Sequence, residues 1–193
     1  MTTSKPVPTA RPRTQPEIEA LLKKDGIIPD VIKYAPNDTV QVVYNNNETV
    51  VDFGNELTFK DVKNAPTFVD WFLHDEYEVY TLMLLGPDSP TRENPSNRCY
   101  KHWLVANIPE ERIYAAEEFA SYTISTRAYE PGVHRFVFVM YKQPGRYQLE
   151  YRGERVYKNV IGGRRVNFSA MDLAEKYNLG TPSAVNYFKI RVK

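Results

Sequence analysis

The sequence predicts a mainly β fold: an antiparallel β-sandwich, or a barrel, with a few short peripheral helices at its ends. Three observations predict it. Runs rich in Val, Ile, Tyr and Phe recur along the chain, and segments dense in Asn, Gly and Pro separate them. Strands and helices do not alternate as a parallel α/β sheet requires. The 193 residues are 42% hydrophobic and 13% aromatic, enough bulky side chain for one domain with a packed core.

Residues 1–16 form a proline-rich leader that is expected to be a disordered tail, with the single domain spanning 17–193. Lys5, Arg11 and Arg13 without an acidic partner give the leader a presequence-like charge, but its four prolines oppose the amphipathic helix of a mitochondrial signal. Pro16 opens a short helix through Lys24, with Ile18, Leu21 and Leu22 on one face and Gly26 as its stop. Strands are expected over Val40–Tyr44, Thr67–Phe72, Val79–Leu85, Trp103–Ala106, Arg135–Tyr141 and Asn186–Val192. In the fifth of these, Val137, Val139 and Tyr141 share one face while Phe136, Phe138 and Met140 share the other. Apolar on both faces, it reads as a central strand. A second helix runs from Ser169, its cap, to Asn178 before Gly180.

The balance of 25 basic and 24 acidic residues, a net charge of +1, removes the simplest electrostatic case for nucleic-acid or membrane-surface binding. One stretch departs from it. Lys142–Phe168 holds seven Lys or Arg against two Glu, interleaved with Tyr147, Tyr151 and Tyr157. It reads first as a solvated basic loop or hairpin and only second as a surface for stacked bases. The lone Cys99 makes no internal disulfide, which suits a reducing compartment, so a cytoplasmic location is expected. Residues 1–16 lack the apolar h-region of a secretory signal, so the sequons at Asn37, Asn47 and Asn167 are expected to stay unglycosylated. No run approaches the roughly 20 apolar residues of a membrane span.

The familiar catalytic patterns are missing: no G-x-S-x-G elbow, no phosphate loop, no G-x-G-x-x-G and no H-E-x-x-H. Cys99 and His102 stand three apart on a strand and face opposite ways, which opposes a thiolate–imidazole pair. His74, His102, His134 and Cys99 show no metal-ligand spacing, so no metal or other cofactor is expected. His102 and His134 do sit at or beside strand starts, near the rigid Gly86–Arg92 loop, where a fold could gather two imidazoles around a small anion.

At these residues the chain resembles the phosphatidylethanolamine-binding protein family, which includes the Raf kinase inhibitor proteins and the plant flowering-time regulators. The family's D-P-D-x-P-[ST]-R loop stands here as Gly86-Pro87-Asp88-Ser89-Pro90-Thr91-Arg92. Its H-W-L-V-x-N-I-P strand is His102–Pro109, its G-x-H-R turn is Gly132–Arg135, and its late R-x-N-F and A-x-x-Y-N-L-G-x-P segment is Arg165–Pro182. The match extends from about Gly26 to Val192. The resemblance implies an antiparallel sandwich with a small pocket that binds phosphate, acetate or a phospholipid headgroup without performing chemistry. Asp88, Pro90, His102 and His134 occupy the family's pocket positions, with Gly86 where the family has its first aspartate. Two further departures stand out. Ser125–Glu130 replaces the family's proline-rich rim, so that Arg127 either fills the mouth or contacts phosphate, and Phe136 replaces a frequent tyrosine. The helix with which animal members end has no counterpart before Lys193. The function implied is a monomeric, non-enzymatic anion or headgroup binder regulating signalling. The alternative is an interaction or inhibitor protein, with a kinase or protease partner and a vestigial pocket.

Overall fold

The computed structural model describes residues 7–46, 48–72, 77–145, 148–153, 155–160 and 162–193. His74, Asn47 and Tyr147, named above, lie outside these residues. Helix α1 (Gln15–Lys24) begins one residue before Pro16 because Thr14 caps it. The Thr14 backbone N–H donates to Glu17 Oε2 at 2.8 Å, closing a capping box. Ile18 and Leu22 are fully buried on its inner face. Two single-turn helices follow, α2 (Ile27–Asp30) and α3 (Phe59–Val62), and α4 (Ala170–Lys176) is capped by Ser169 Oγ, which accepts from the Asp172 N–H at 3.0 Å.

The strands are β1 (Asp38–Thr39), β2 (Gln41–Tyr44), β3 (Thr49–Val50), β4 (Asn55–Leu57), β5 (Phe68–Asp70), β6 (Val79–Gly86), β7 (Tyr100–Pro109), β8 (Glu117–Ala120), β9 (Gly132–Lys142) and β10 (Ala184–Val192). The larger sheet runs β1-β10-β9-β6-β7-β8, with β4 also pairing with β10, and the smaller runs β3-β2-β5. The β6, β7, β8, β9 and β10 pairings are antiparallel, but β1 and β4 lie parallel to β10. The larger sheet is therefore mixed and open, which corrects the expectation of a purely antiparallel sandwich. Two- and three-residue strands carry no readable period, so the sequence could not announce the direction of these two.

The central position of β9 follows from its two apolar faces. Phe136, Phe138 and Met140 enter one core with Val42 and Tyr44 of the small sheet. Val137, Val139 and Tyr141 enter a second core with Ile18 and Leu22 of α1 and Leu173 of α4. The helices thus cover the second face of the large sheet and do not merely cap the ends of a sandwich. Burial of these six side chains stabilises the fold by on the order of 10 kcal/mol in area terms, an upper bound.

The described part of the leader also differs from the expectation of a detached tail. Ala10 is buried, and its N–H donates to Gln41 Oε1 at 2.8 Å. Arg13 stacks over the Phe53 ring and donates to Asp52 Oδ1 at 2.5 Å. Proline prevents a helix there but leaves an extended segment free to lie against the domain.

Candidate functional site

Strand ends build the site. Gly86 closes β6, His102 enters β7 beside it, and His134 enters β9, so the register gathers the predicted residues at one end of the large sheet. The Asp88 carboxylate accepts from the Arg135 backbone N–H at 2.8 Å and from Arg135 Nε at 2.9 and 3.1 Å, and it also receives Arg135 Nη2. Arg135 reaches on to Asp30 Oδ2 at 2.8 Å and the Asp25 carbonyl at 2.7 Å. Asp88 and Arg135 are both fully buried, so each charge needs the other. Asp88 therefore clamps the loop and faces an arginine of its own chain.

His102 is fully buried between Tyr100 and Phe136, with ring centroids 4.7 and 5.0 Å away. Its Nδ1 lies 2.7 Å from the Thr123 carbonyl, which only accepts, so Nδ1 carries the proton. Nε2 is then an acceptor, and it takes the Tyr129 hydroxyl at 2.7 Å. Burial pushes the His102 pKa down to about 3, and the hydrogen bond to Thr123 only partly opposes this. Burial, reinforced by Asp88, holds the Tyr129 phenol well above its usual value. The pair is neutral throughout the physiological range.

Tyr129 is the residue that the sequence reading passed over, although it lies in the Ser125–Glu130 segment flagged as unusual. Its ring sits 4.8 Å from His134 and 5.4 Å from Phe136, filling the space between the two histidines. Gly86 makes room for it: a Cβ there would stand 1.8 Å from Tyr129 Oη and 2.8 Å from His102 Nε2. The absent side chain and the inserted phenol are two halves of one arrangement. Two hydrogen bonds hold the rim on the Gly86–Arg92 loop, Ser89 Oγ to the Ala128 carbonyl at 2.6 Å and the Glu130 N–H to the Pro90 carbonyl at 3.0 Å, and a third ties it to β9, His134 Nε2 to the Glu130 carbonyl at 2.7 Å. His134 Nδ1 faces the Asp88 carbonyl at 3.3 Å. Pro90 thus supports the rim through its carbonyl. Arg127 lies exposed on a 3₁₀ turn (Thr126–Ala128), two residues before a Tyr129 that points inward.

The basic stretch behaves differently from a solvated loop at its most basic point. Arg165 is fully buried and donates to the carbonyls of Val160, Lys101, His102, Ser121 and Tyr157, at 2.7 to 3.4 Å. It fastens the loop to the backbone beneath His102. Arg152 pairs with Glu150 and Arg155 with Glu117, each at 3.0 Å, so internal partners take up much of the local charge. Cys99 is buried in the helix-side core while His102 faces the small-sheet side, and burial raises the thiol pKa to about 12. Among the described residues no cluster of three His, Cys, Asp or Glu could hold a metal ion. No helix is long and apolar enough to cross a membrane among them.

Comparison with profiles of known families finds no match. Individual proteins do match. A 26 kDa secreted antigen of Toxocara canis is 36% identical over 85% of this chain, which spans 60% of the antigen's length. A putative odorant-binding protein, A5, of Drosophila melanogaster is 28% identical over 90% of this chain and 80% of its own. These relatives overturn the cytoplasmic expectation: their names point to an extracellular setting, which a chain with one cysteine can also occupy. Among solved structures, a phosphatidylethanolamine-binding protein of Plasmodium vivax superposes with a TM-score of 0.78, at 22% identity over 94% of this chain and 99% of that one. A carboxypeptidase Y inhibitor, solved with its cognate proteinase, gives 0.78 at 21% identity over 93% and 97%. The solution structure of CG7054 is 34% identical over 88% of this chain and 93% of that one, with a TM-score of 0.66. Joined to the ordered loop, strand and turn motifs around His102 and His134, these likenesses place the chain in the phosphatidylethanolamine-binding protein family.

Proposed function

We propose that this protein is a non-enzymatic binding protein that recognises a protein partner through its surface, with its histidine pocket closed by Tyr129. The observation that carries this reading is the 2.7 Å contact between Tyr129 Oη and His102 Nε2, in the space that Gly86 leaves open. An anion needs donors, and here His102 Nδ1 and His134 Nε2 are spent on carbonyls while Arg135 is spent on Asp88. The neutral pair of His102 and Tyr129 offers no charge to a phosphate. A partner surface is supported by exposed aromatics at the opposite end of the large sheet. Tyr77 precedes Glu78, whose carbonyl accepts from the Glu110 N–H at 2.8 Å, and the exposed Tyr114 follows four residues after Glu110 on the 3₁₀ turn Ile113–Ala115. Large exposed tyrosines are frequent anchors of protein interfaces. The carboxypeptidase Y inhibitor, which shares this fold, offers a proteinase as one class of partner.

The test joins two measurements. Calorimetry with phosphate and O-phosphorylethanolamine is expected to show no saturable binding to the native protein. A panel of carboxypeptidases, screened for inhibition and complex formation at physiological salt, is expected to yield a complex that Tyr77→Ser plus Tyr114→Ser weakens at least ten-fold. Saturable ester binding that His134→Ala abolishes overturns the reading in favour of a headgroup binder.

A further inference from the structure

Two basic side chains are buried together behind β7. Lys101 and His102 are neighbours on that strand and face opposite ways, His102 against Phe136 and Lys101 against Phe168, whose ring packs on the helix-side core. Lys101 is 6% exposed, and Arg165 is fully buried. The backbone joins the two: the Lys101 N–H donates to the Arg165 carbonyl at 2.7 Å, and the Lys101 carbonyl accepts from Arg165 Nη1 at 3.0 Å.

Among the described residues, neither side chain has a carboxylate in contact. Arg165 spends its five N–H groups on carbonyls. Glu118, the carboxylate that acts on Arg165 through space, is exposed and already receives Trp103 Nε1 at 3.0 Å and Ser121 Oγ at 2.6 Å. Lys101 Nζ rests 4.8 Å from the centroid of the Phe168 ring and, among the described residues, makes no hydrogen bond or ion pair. A ring face holds an ammonium more weakly than a carboxylate does, and a buried charge without a partner is costly, so the proton is easily shed. Burial first, and then the charge of Arg165, push the Lys101 pKa down to about 8. At pH 7.4 about a fifth of Lys101 is then free amine, against about a thousandth of an ordinary exposed lysine. A desolvated amine beside another cation is a nucleophile. Two features select its electrophile: the narrow exposure admits a small molecule, and Arg165, without an anion, favours a negatively charged product. Carbon dioxide meets both conditions, whereas an aldehyde would leave a neutral imine.

We propose that Lys101 is an acceptor for carbon dioxide, forming a carbamate beside Arg165. The Nζ lone pair of the neutral amine attacks the carbon, one C=O π pair moves onto oxygen, and an N–H proton passes to water. The products are Nζ–COO⁻ and H⁺, with no change of oxidation state. The like-charged pair of Lys101 and Arg165 thereby becomes an ion pair. The site lies on the face of β7 away from His102 and Tyr129 and is independent of the partner-protein reading.

The test equilibrates the native protein with carbon-13-labelled carbon dioxide and bicarbonate at pH 7.4. The carbamate carbon is read by NMR, and carbamates are fixed as ethyl esters with triethyloxonium and mapped by mass spectrometry. The adduct at Lys101 is expected to exceed that at any other lysine at least ten-fold. A free N-terminal amine, which has a similar pKa, maps to a different peptide. At constant dissolved carbon dioxide the Lys101 adduct should increase with pH. Guanidinium chloride should bring Lys101 level with the other lysines, because unfolding removes both burial and Arg165. Lys101→Arg, which keeps the cation and removes the nucleophile, should abolish the main carbamate signal. A folded protein with no adduct at Lys101, or one no larger than at exposed lysines, overturns the proposal. So does a carbamate signal that survives Lys101→Arg undiminished.

Discussion

Placing a methyl group on Gly86 tests the closed pocket with the smallest available perturbation. In Gly86→Ala the new Cβ would stand 1.8 Å from Tyr129 Oη and 2.8 Å from His102 Nε2, so the phenol must leave or the strand must shift. Retreat is hindered because Ala128 and Glu130, on either side of Tyr129, are hydrogen-bonded to Ser89 and Pro90. Overpacking a tight site costs about 1–3 kcal/mol, and stranding a buried acceptor such as His102 Nε2 costs a similar amount. The sum is a loss of about 2–6 kcal/mol, or roughly 4–24 °C in Tm for a domain of this size. Tyr129→Phe supplies the control, since without the oxygen the nearest atom of that ring to the new Cβ is Cζ at 3.1 Å. In urea and thermal denaturation of the two single variants and the double, Gly86→Ala should cost at least about 1 kcal/mol less when Phe already stands at 129. A Gly86→Ala variant within about 0.5 kcal/mol of the native protein, or costs that simply add, refutes the argument that the two positions share one space.

Three further outcomes are expected. The folded-state pKa of His102 lies near 3, below its unfolded value of about 6.5, so its contribution is complete above pH 6.5 and is lost as pH falls towards 3. Urea melts should lose about 1.4 kcal/mol per pH unit below 6.5 from this group, a loss absent in His102→Gln. Arg165→Met removes the donor to five carbonyls and should destabilise the protein by about 3–5 kcal/mol, as loss of a buried charged network does; a Tm change of under 2 °C contradicts its structural role. Cys99, buried and with its thiol pKa raised to about 12, should resist iodoacetamide at pH 8 in the native state and react fully in urea. Rapid native labelling contradicts the burial.

What the sequence made legible follows from where period and burial coincide. The central strand was readable because Phe136–Tyr141 is apolar on both faces, and the two cores divide those residues as the alternation requires. Helices α1 and α4 were readable from Pro16 and Ser169 at their starts. The parallel β1 and β4 were not, because two or three residues carry no period and their direction is set by pairing with the distant β10. The site shows the same division. His102, His134, Asp88 and Pro90 were found from their motifs, and they do converge. Their hydrogen-bond partners were invisible, because whether Asp88 faces a ligand or Arg135 depends on a contact 47 positions away in the chain. Tyr129 had a legible cue in hindsight, a missing side chain at Gly86 beside an altered rim, but only tertiary structure shows that one fills the other. Arg165 was counted with the basic surface because charge in a sequence says nothing of the carbonyls that gather around it.

The central claim, that Tyr129 closes the histidine pocket, is met most directly by following the His102 and His134 ring signals by NMR during titration with phosphate and O-phosphorylethanolamine, in native protein and in Gly86→Asp/Tyr129→Gly. The account predicts flat titrations for the native protein, with a His102 ring that stays neutral at pH 5, and saturable shifts only in the double variant. Saturable shifts at both rings of the native protein contradict it.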